Sequence, residues 1–174
     1  MCGRYTLSTP TDLLTDLFEL ETAVTVSPRF NIAPTQEAPV VRTDPSTGGR
    51  RLDLLKWGLV PFWAKDASIG NRMINARSET VAEKPAYRVS LRKRRCLVLA
   101  DGFYEWQVTG GPKQPYFFHR GDGQPFAMAG LWDRWDKDPS SPLETFTILT
   151  TTANEVIGLA HKRMPVMLEA AAWD

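Results

Sequence analysis

Seven short apolar or alternating runs, each cut off by a turn signal, constrain this chain more than any other feature. They cover Pro39 to Arg42, Leu52 to Trp57, Cys96 to Ala100, Phe103 to Val108, Tyr116 to His119, Phe126 to Leu131 and Phe146 to Thr151. Bounded by Thr47-Gly-Gly49, Thr109-Gly-Gly-Pro112 and Gly121-Asp-Gly123, runs of this length read as strands. Long helices do not alternate with them, which argues against a doubly wound parallel sheet. The expected fold class is α+β: a mainly antiparallel, partly closed, barrel-like β-sheet with short peripheral helices. One helix should start at Ser8-Thr9-Pro10, capped by a hydroxyl, with Leu13, Leu14, Leu17 and Phe18 on one packed face. Others are expected over Ser78 to Glu83 and Ala153 to Leu159. A length of 174 residues suits a single domain, 1–174.

Charge excludes little. With 21 Lys and Arg against 20 Asp and Glu, any grip on nucleic acid has to be local, and the one dense basic run is Leu91-Arg-Lys-Arg-Arg95. The N-terminal stretch carries acids and no uninterrupted apolar run, so no secretory signal is expected. Nothing approaches the roughly 20 apolar residues of a membrane span. A cytoplasmic, DNA-associated protein with no membrane partner is the expectation, and a monomer. Two cysteines in a reducing compartment should stay unpaired, and they are too few to hold a zinc ion alone. Neither metal nor cofactor is expected, since no Walker loop, dinucleotide fingerprint, metal-spaced His/Cys cluster or Gly-x-Ser-x-Gly elbow is present.

The sharpest chemical signal is Met1-Cys-Gly-Arg4. Aminopeptidases that remove the initiator methionine prefer a small second residue. Removal would leave Cys2 with a free α-amine beside its thiol, a 1,2-aminothiol that condenses with an aldehyde to an imine and closes to a thiazolidine. An α-amine titrates at about 7.7–8.0, so a useful neutral fraction exists near neutral pH. Arg4 should favour both the neutral amine and the thiolate. The plain alternative is that Cys2 is merely the second residue of an ordinary start.

Other candidates also carry two readings. His161, in Ala160-His-Lys-Arg-Met-Pro165, suits a loop proton carrier or is simply solvated; His119 reads as a surface or packing residue. Glu105, among Phe103, Tyr104 and Trp106, is either an acid with a raised pKa or a solvent-facing residue of an alternating strand. Periodicity does not separate the two. Asn75 and Arg77 share one side of an extended segment and could serve one pocket, or they belong to a capping turn before Ser78. Trp63 ends an aromatic loop suited to stacking unpaired bases, whereas Trp57 reads as core. Pro34 offers a rigid bend that could wedge between bases. Cys96 reads as a buried strand cysteine.

Taken together, Met1-Cys-Gly-Arg4, Asn31-Ile-Ala-Pro34, Trp57-Gly-Leu-Val-Pro61, Ile74-Asn-Ala-Arg77, Gly102-Phe-Tyr-Glu-Trp106 and His161-Lys-Arg-Met-Pro165 resemble the SRAP family, the SOS response-associated peptidases or abasic-site processing proteins. The ordered matches span nearly the whole chain. The resemblance implies a covalent thiazolidine link between the mature N-terminal cysteine and an abasic site in single-stranded DNA. It makes Cys2 the crosslinking residue, Asn75 its orienting partner, and Glu105 and His161 the proton-transfer groups. Arg77 and Arg163 correspond to phosphate-gripping positions with Arg4 as a helper, and Pro34 and Trp63 to wedge and stacking residues. Members generally run on past Trp173-Asp174, so the chain is expected to lack a C-terminal tail. Ala64 stands where some relatives carry a second aromatic. Two rivals stay open at this point: an N-terminal cysteine amidohydrolase or autopeptidase, and a non-covalent single-strand binding module.

Overall fold

The computed structural model describes residues 2–138 and 140–173. In chain order the first elements are β1 (Arg4–Leu7), α1 (Thr11–Phe18), β2 (Leu20–Ala23), β3 (Arg29–Ile32), β4 (Glu37–Thr43), β5 (Arg50–Trp57) and β6 (Asn75–Arg77). There follow α2 (Arg88–Lys93), β7 (Arg95–Ala100), β8 (Gly102–Gln107), β9 (Gln114–His119), β10 (Phe126–Trp135), β11 (Leu143–Thr152), α3 (Glu155–Gly158), β12 (Arg163–Pro165) and β13 (Met167–Leu168). All seven expected strands are present, extended by a few residues at one or both ends in most cases.

The strands form a closed five-stranded barrel and a separate, mainly antiparallel sheet. Around the barrel, β4 pairs with β5 and β7, β7 with β10, and β10 with β11, all antiparallel. A short parallel pairing of β5 with β11, through Thr145 opposite Lys56 and Phe146 opposite Trp57, closes it. Farther along β11, β6 takes over in parallel, with Asn75 opposite Ile148. The second sheet runs β3-β1-β8-β9. Its inward residues Tyr5, Leu7 and Phe103 join Cys2 in one apolar cluster with the barrel's Trp57, Phe146 and Ile148. Tyr5 meets Trp57 edge-on at 5.2 Å, so one aromatic contact ties the two sheets.

Three local expectations are corrected. The hydroxyls of Ser8 and Thr9 do not cap α1; both donate to the carboxylate of Asp101, and Pro10 stands at the cap position without a side-chain bond. Leu14 and Phe18 are buried, but Leu13 and Leu17 face solvent. Two buried residues four apart suffice because this eight-residue helix rests on the core along a narrow stripe. Residues 78–83 form successive turns rather than a helix, with Glu83 N and Lys84 N both bonded to Thr80 O. Pro85 disfavours helical backbone at Lys84, and regular helix resumes only at Arg88.

Candidate active site

Four segments that are remote in sequence converge near the chain start. Cys2 lies two residues before β1, Asn75 opens β6, Glu105 lies in the middle of β8, and His161 stands in the loop before β12. Asn75 Nδ2 donates to the main-chain carbonyl of Cys2 at 2.9 Å, fixing that residue's backbone. Asn75 Oδ1 is buried with no hydrogen-bond partner among the described residues. An acceptor left open there suits a donor on a bound or processed group. The expected loss of Met1 concerns a residue outside those described.

Register decides the orientation of Glu105. Tyr104 pairs with Arg4 on β1 and Phe117 on β9, so those three share one face of the sheet. Glu105 takes the opposite, inward face with Phe103 and is only 2% exposed. The solvent-facing reading is thereby excluded. Its Oε1 lies 4.0 Å from His161 Nδ1. That same Nδ1 lies 3.0 Å from the backbone N–H of Arg163 and 3.2 Å from the Arg163 carbonyl. His161 is part-exposed, which makes it the side of this cluster open to solvent.

The thiol of Cys2 is fully buried and makes a long contact of 4.0 Å with the carbonyl of Arg4. Burial, followed by the charge of Glu105, pushes its pKa up to about 12. Arg4 acts on this thiol through its main-chain carbonyl, which offsets part of the rise without reversing it. The Arg4 guanidinium folds back onto Gly3 O at 3.0 Å, on the sheet face that Glu105 does not use. At rest Cys2 holds a protonated thiol within the electrostatic reach of Glu105.

Beside this cluster lies an open groove, with Trp63, Asn75, Arg77, Thr80 and Lys84 on its walls. Trp63 is 46% exposed, and its loop is stapled from below. Asp133 accepts from Phe62 N at 3.0 Å, Trp135 Nε1 donates to Ala64 O at 2.8 Å, and Thr145 Oγ1 accepts from Val60 N at 2.8 Å. Gly58, at φ +129, begins the loop; a Cβ there would stand 2.5 Å from Gly70 O, so a side chain is excluded by both backbone and space. Pro34 is half-buried in the turn after β3 and does not line this groove.

Arg163 is engaged. Nη1 and Nη2 reach Glu79 Oε1 and Oε2 at 2.6 and 3.0 Å, and Nη2 also donates to Thr150 O at 2.6 Å. Neither Glu79 nor Thr150 was singled out from the sequence. Both partners are remote from Arg163 in sequence, at separations of 84 and 13 residues, so no local pattern links them to it. Among the described residues no three His, Cys, Asp or Glu side chains gather as a metal site would, and no helix is long and apolar enough to cross a membrane.

Comparison with known proteins agrees with the motif pattern. The family profile described as SOS response associated peptidase (SRAP) matches residues 1–174. The Bacillus subtilis protein named abasic site processing protein YoaM is 42% identical over 97% of this chain and 75% of its own length. The chicken protein named abasic site processing protein HMCES is 37% identical over 82% of this chain, which spans about half (51%) of it. A crystal structure of a Bacteroides thetaiotaomicron protein superposes with a TM-score of 0.88 at 28% identity, covering 98% of this chain and 78% of that one.

Proposed function

The chain belongs to the SRAP family, and from that premise we propose that it captures abasic sites in single-stranded DNA covalently, through the amine and thiol of Cys2 once Met1 is removed. The names of its relatives support abasic-site processing. The observation that carries the chemistry is the cluster itself. A cysteine whose carbonyl is held by Asn75 has its thiol within the field of a buried Glu105, and that carboxylate lies 4.0 Å from His161.

The neutral amine adds to the aldehyde carbon of the ring-opened sugar. Glu105 takes the proton released at nitrogen and returns it to the new hydroxyl, water leaves, and a C=N bond forms. The thiol then adds across that bond: sulfur binds carbon, Glu105 accepts the thiol proton, and nitrogen receives it. Amine, thiol and aldehyde thus become one thiazolidine and one water, with no oxidant or cofactor. A thiol held protonated at rest fits this sequence, because its proton is needed only at ring closure and Glu105 stands within electrostatic reach of it. Holding the three groups together supplies an effective concentration that a free aminothiol lacks. His161, open to solvent, serves as the second proton carrier. Before closure, the imine also permits strand cleavage by β-elimination.

In this reading Arg77 and Arg163 hold phosphates, with Arg4 on the neighbouring sheet face as helper. Trp63 offers a stacking surface worth about 1–3 kcal/mol per base, and Pro34 acts as a wedge. The test is intact mass after mixing the Met1-free protein with a single-stranded oligonucleotide bearing one abasic site. A DNA adduct with loss of one water is expected, absent with intact DNA. No adduct despite verified methionine removal would overturn covalent capture. Binding that persists would then mark a single-strand binding module, and ammonia release from glutamine would mark an amidohydrolase.

A further inference from the structure

Arg163 presents its guanidinium fork to an acid of its own chain. Two parallel N–H···O bonds join it to Glu79, the geometry in which arginine also grips a phosphate. The second hydrogen of Nη2 is spent on Thr150 O, with Thr150 Oγ1 at 3.2 Å. Nε is buried and has no hydrogen-bond partner among the described residues, so it is out of reach of a ligand in solvent. One N–H on Nη1 is all that remains for an incoming anion. A two-point contact with a phosphate therefore requires Glu79 to leave.

We propose that Glu79 is a built-in phosphate surrogate, whose carboxylate occupies the fork of Arg163 until a backbone phosphate of the single strand displaces it. The proposal rests on the reading above that Arg163 grips DNA. The two partners differ in freedom. The Arg163 side chain is 16% exposed and tied to β11, whereas Glu79 is 46% exposed on a run of turns and can swing into water. The arginine is the fixed receptor and the acid the moving part. Arg163 holds the Glu79 carboxyl down at about 2, so the acid stays charged at any physiological pH and the exchange is not gated by protonation. Arg77 also acts on Glu79 by charge, which places both basic residues around one acid. Cancelling the arginine's charge in the free protein makes the site indifferent to small anions. A strand already held at the Trp63–Arg77 groove supplies its phosphate at high local concentration and wins the exchange.

Anisotropy titrations of a fluorescent, intact single-stranded oligonucleotide across a salt series test this. Glu79→Gln should tighten binding about three- to tenfold with the slope of log K against log salt nearly unchanged, because Arg163 neutralises the same phosphate in both proteins, whereas Arg163→Gln should flatten the slope by about 0.7, the increment for one phosphate on a single strand. In an Arg163→Gln background Glu79→Gln should change nothing. Glu79→Asp, which keeps the charge but shortens the reach, should fall between wild type and Glu79→Gln, and it provides a readout should the amide variant fold poorly. Unchanged or weaker binding, a slope that Arg163→Gln leaves as it was, or equal tightening without Arg163 would overturn the proposal, leaving Glu79 as a positioning residue or a diffuse charge. A wild-type protein that captures abasic DNA while Glu79→Gln gains no affinity sinks only the surrogate. A wild-type protein that captures none sinks the reading beneath it.

Discussion

Cys96 and Cys2 are both buried, yet the regions around them differ in kind. Cys96 lies on β7 opposite Gly130 of β10, amid barrel side chains such as Val98, and a Cβ at Gly130 would stand 2.8 Å from its sulfur. Burial pushes that thiol's pKa upward, with Arg42 offsetting part of the rise. Around Cys2, burial has the same first effect, but the neighbours are polar: Asn75 on its carbonyl and Glu105 acting on its thiol. Both thiols are therefore protonated at rest, and thiolate content does not set Cys2 apart from Cys96. Under the proposed capture chemistry, a difference in reactivity would come from the amine freed at Cys2 together with Glu105 and Asn75, which have no counterpart among the described contacts of Cys96.

The largest effect that could break this comparison is on adduct formation itself. Cys2→Ala should abolish the mass shift with abasic DNA. Cys96→Ala should leave the rate within about twofold and cost about 1–2 kcal/mol of stability from lost packing, read by urea unfolding. Adduct loss in Cys96→Ala without unfolding would mean the two regions are coupled. Glu105→Gln comes next. Capture should slow by about 10²-fold or more, in the range for a general acid–base group, while DNA affinity stays nearly intact. Loss of DNA binding instead would assign Glu105 a structural role.

A smaller effect concerns pH. The folded-state pKa of Cys2 is raised from 9.0 to about 12, so the native state holds its proton more tightly than the unfolded chain. The stability this confers is fully present below pH 9.0 and is lost as pH climbs toward about 12. Cys96 shifts in the same direction. Unfolding free energy should fall from about pH 9 toward about 12, and less steeply in either Cys→Ala variant. Both native thiols should alkylate slowly near pH 8 and rapidly once unfolded; fast native labelling of Cys2 would show an open site.

Legibility followed element length. The seven longer runs were read correctly because burial on one or both faces leaves an alternating or continuous apolar mark. β1, β2, β3, β6, β12 and β13 have only two to four residues each, too few for a period to show. β6, which Asn75 opens, and β1, which begins two residues after Cys2, are among these short strands. The candidate residues were legible by type, since an N-terminal aminothiol, a loop histidine and an acid among aromatics each point to definite chemistry. How they face one another was not.

Local chemistry along the chain determined the class, the longer strands, the turns between them and the stock of reactive groups. Only the tertiary structure decided that Glu105 turns inward, because the pairing of β8 with β1 and β9 sets which face meets the core. It likewise decided that Glu79 takes the fork of Arg163 across 84 residues of sequence. Neither fact has a local signature. Strand register and ion pairing between distant segments depend on how buried surfaces fit together, and no window of sequence contains both sides of that fit.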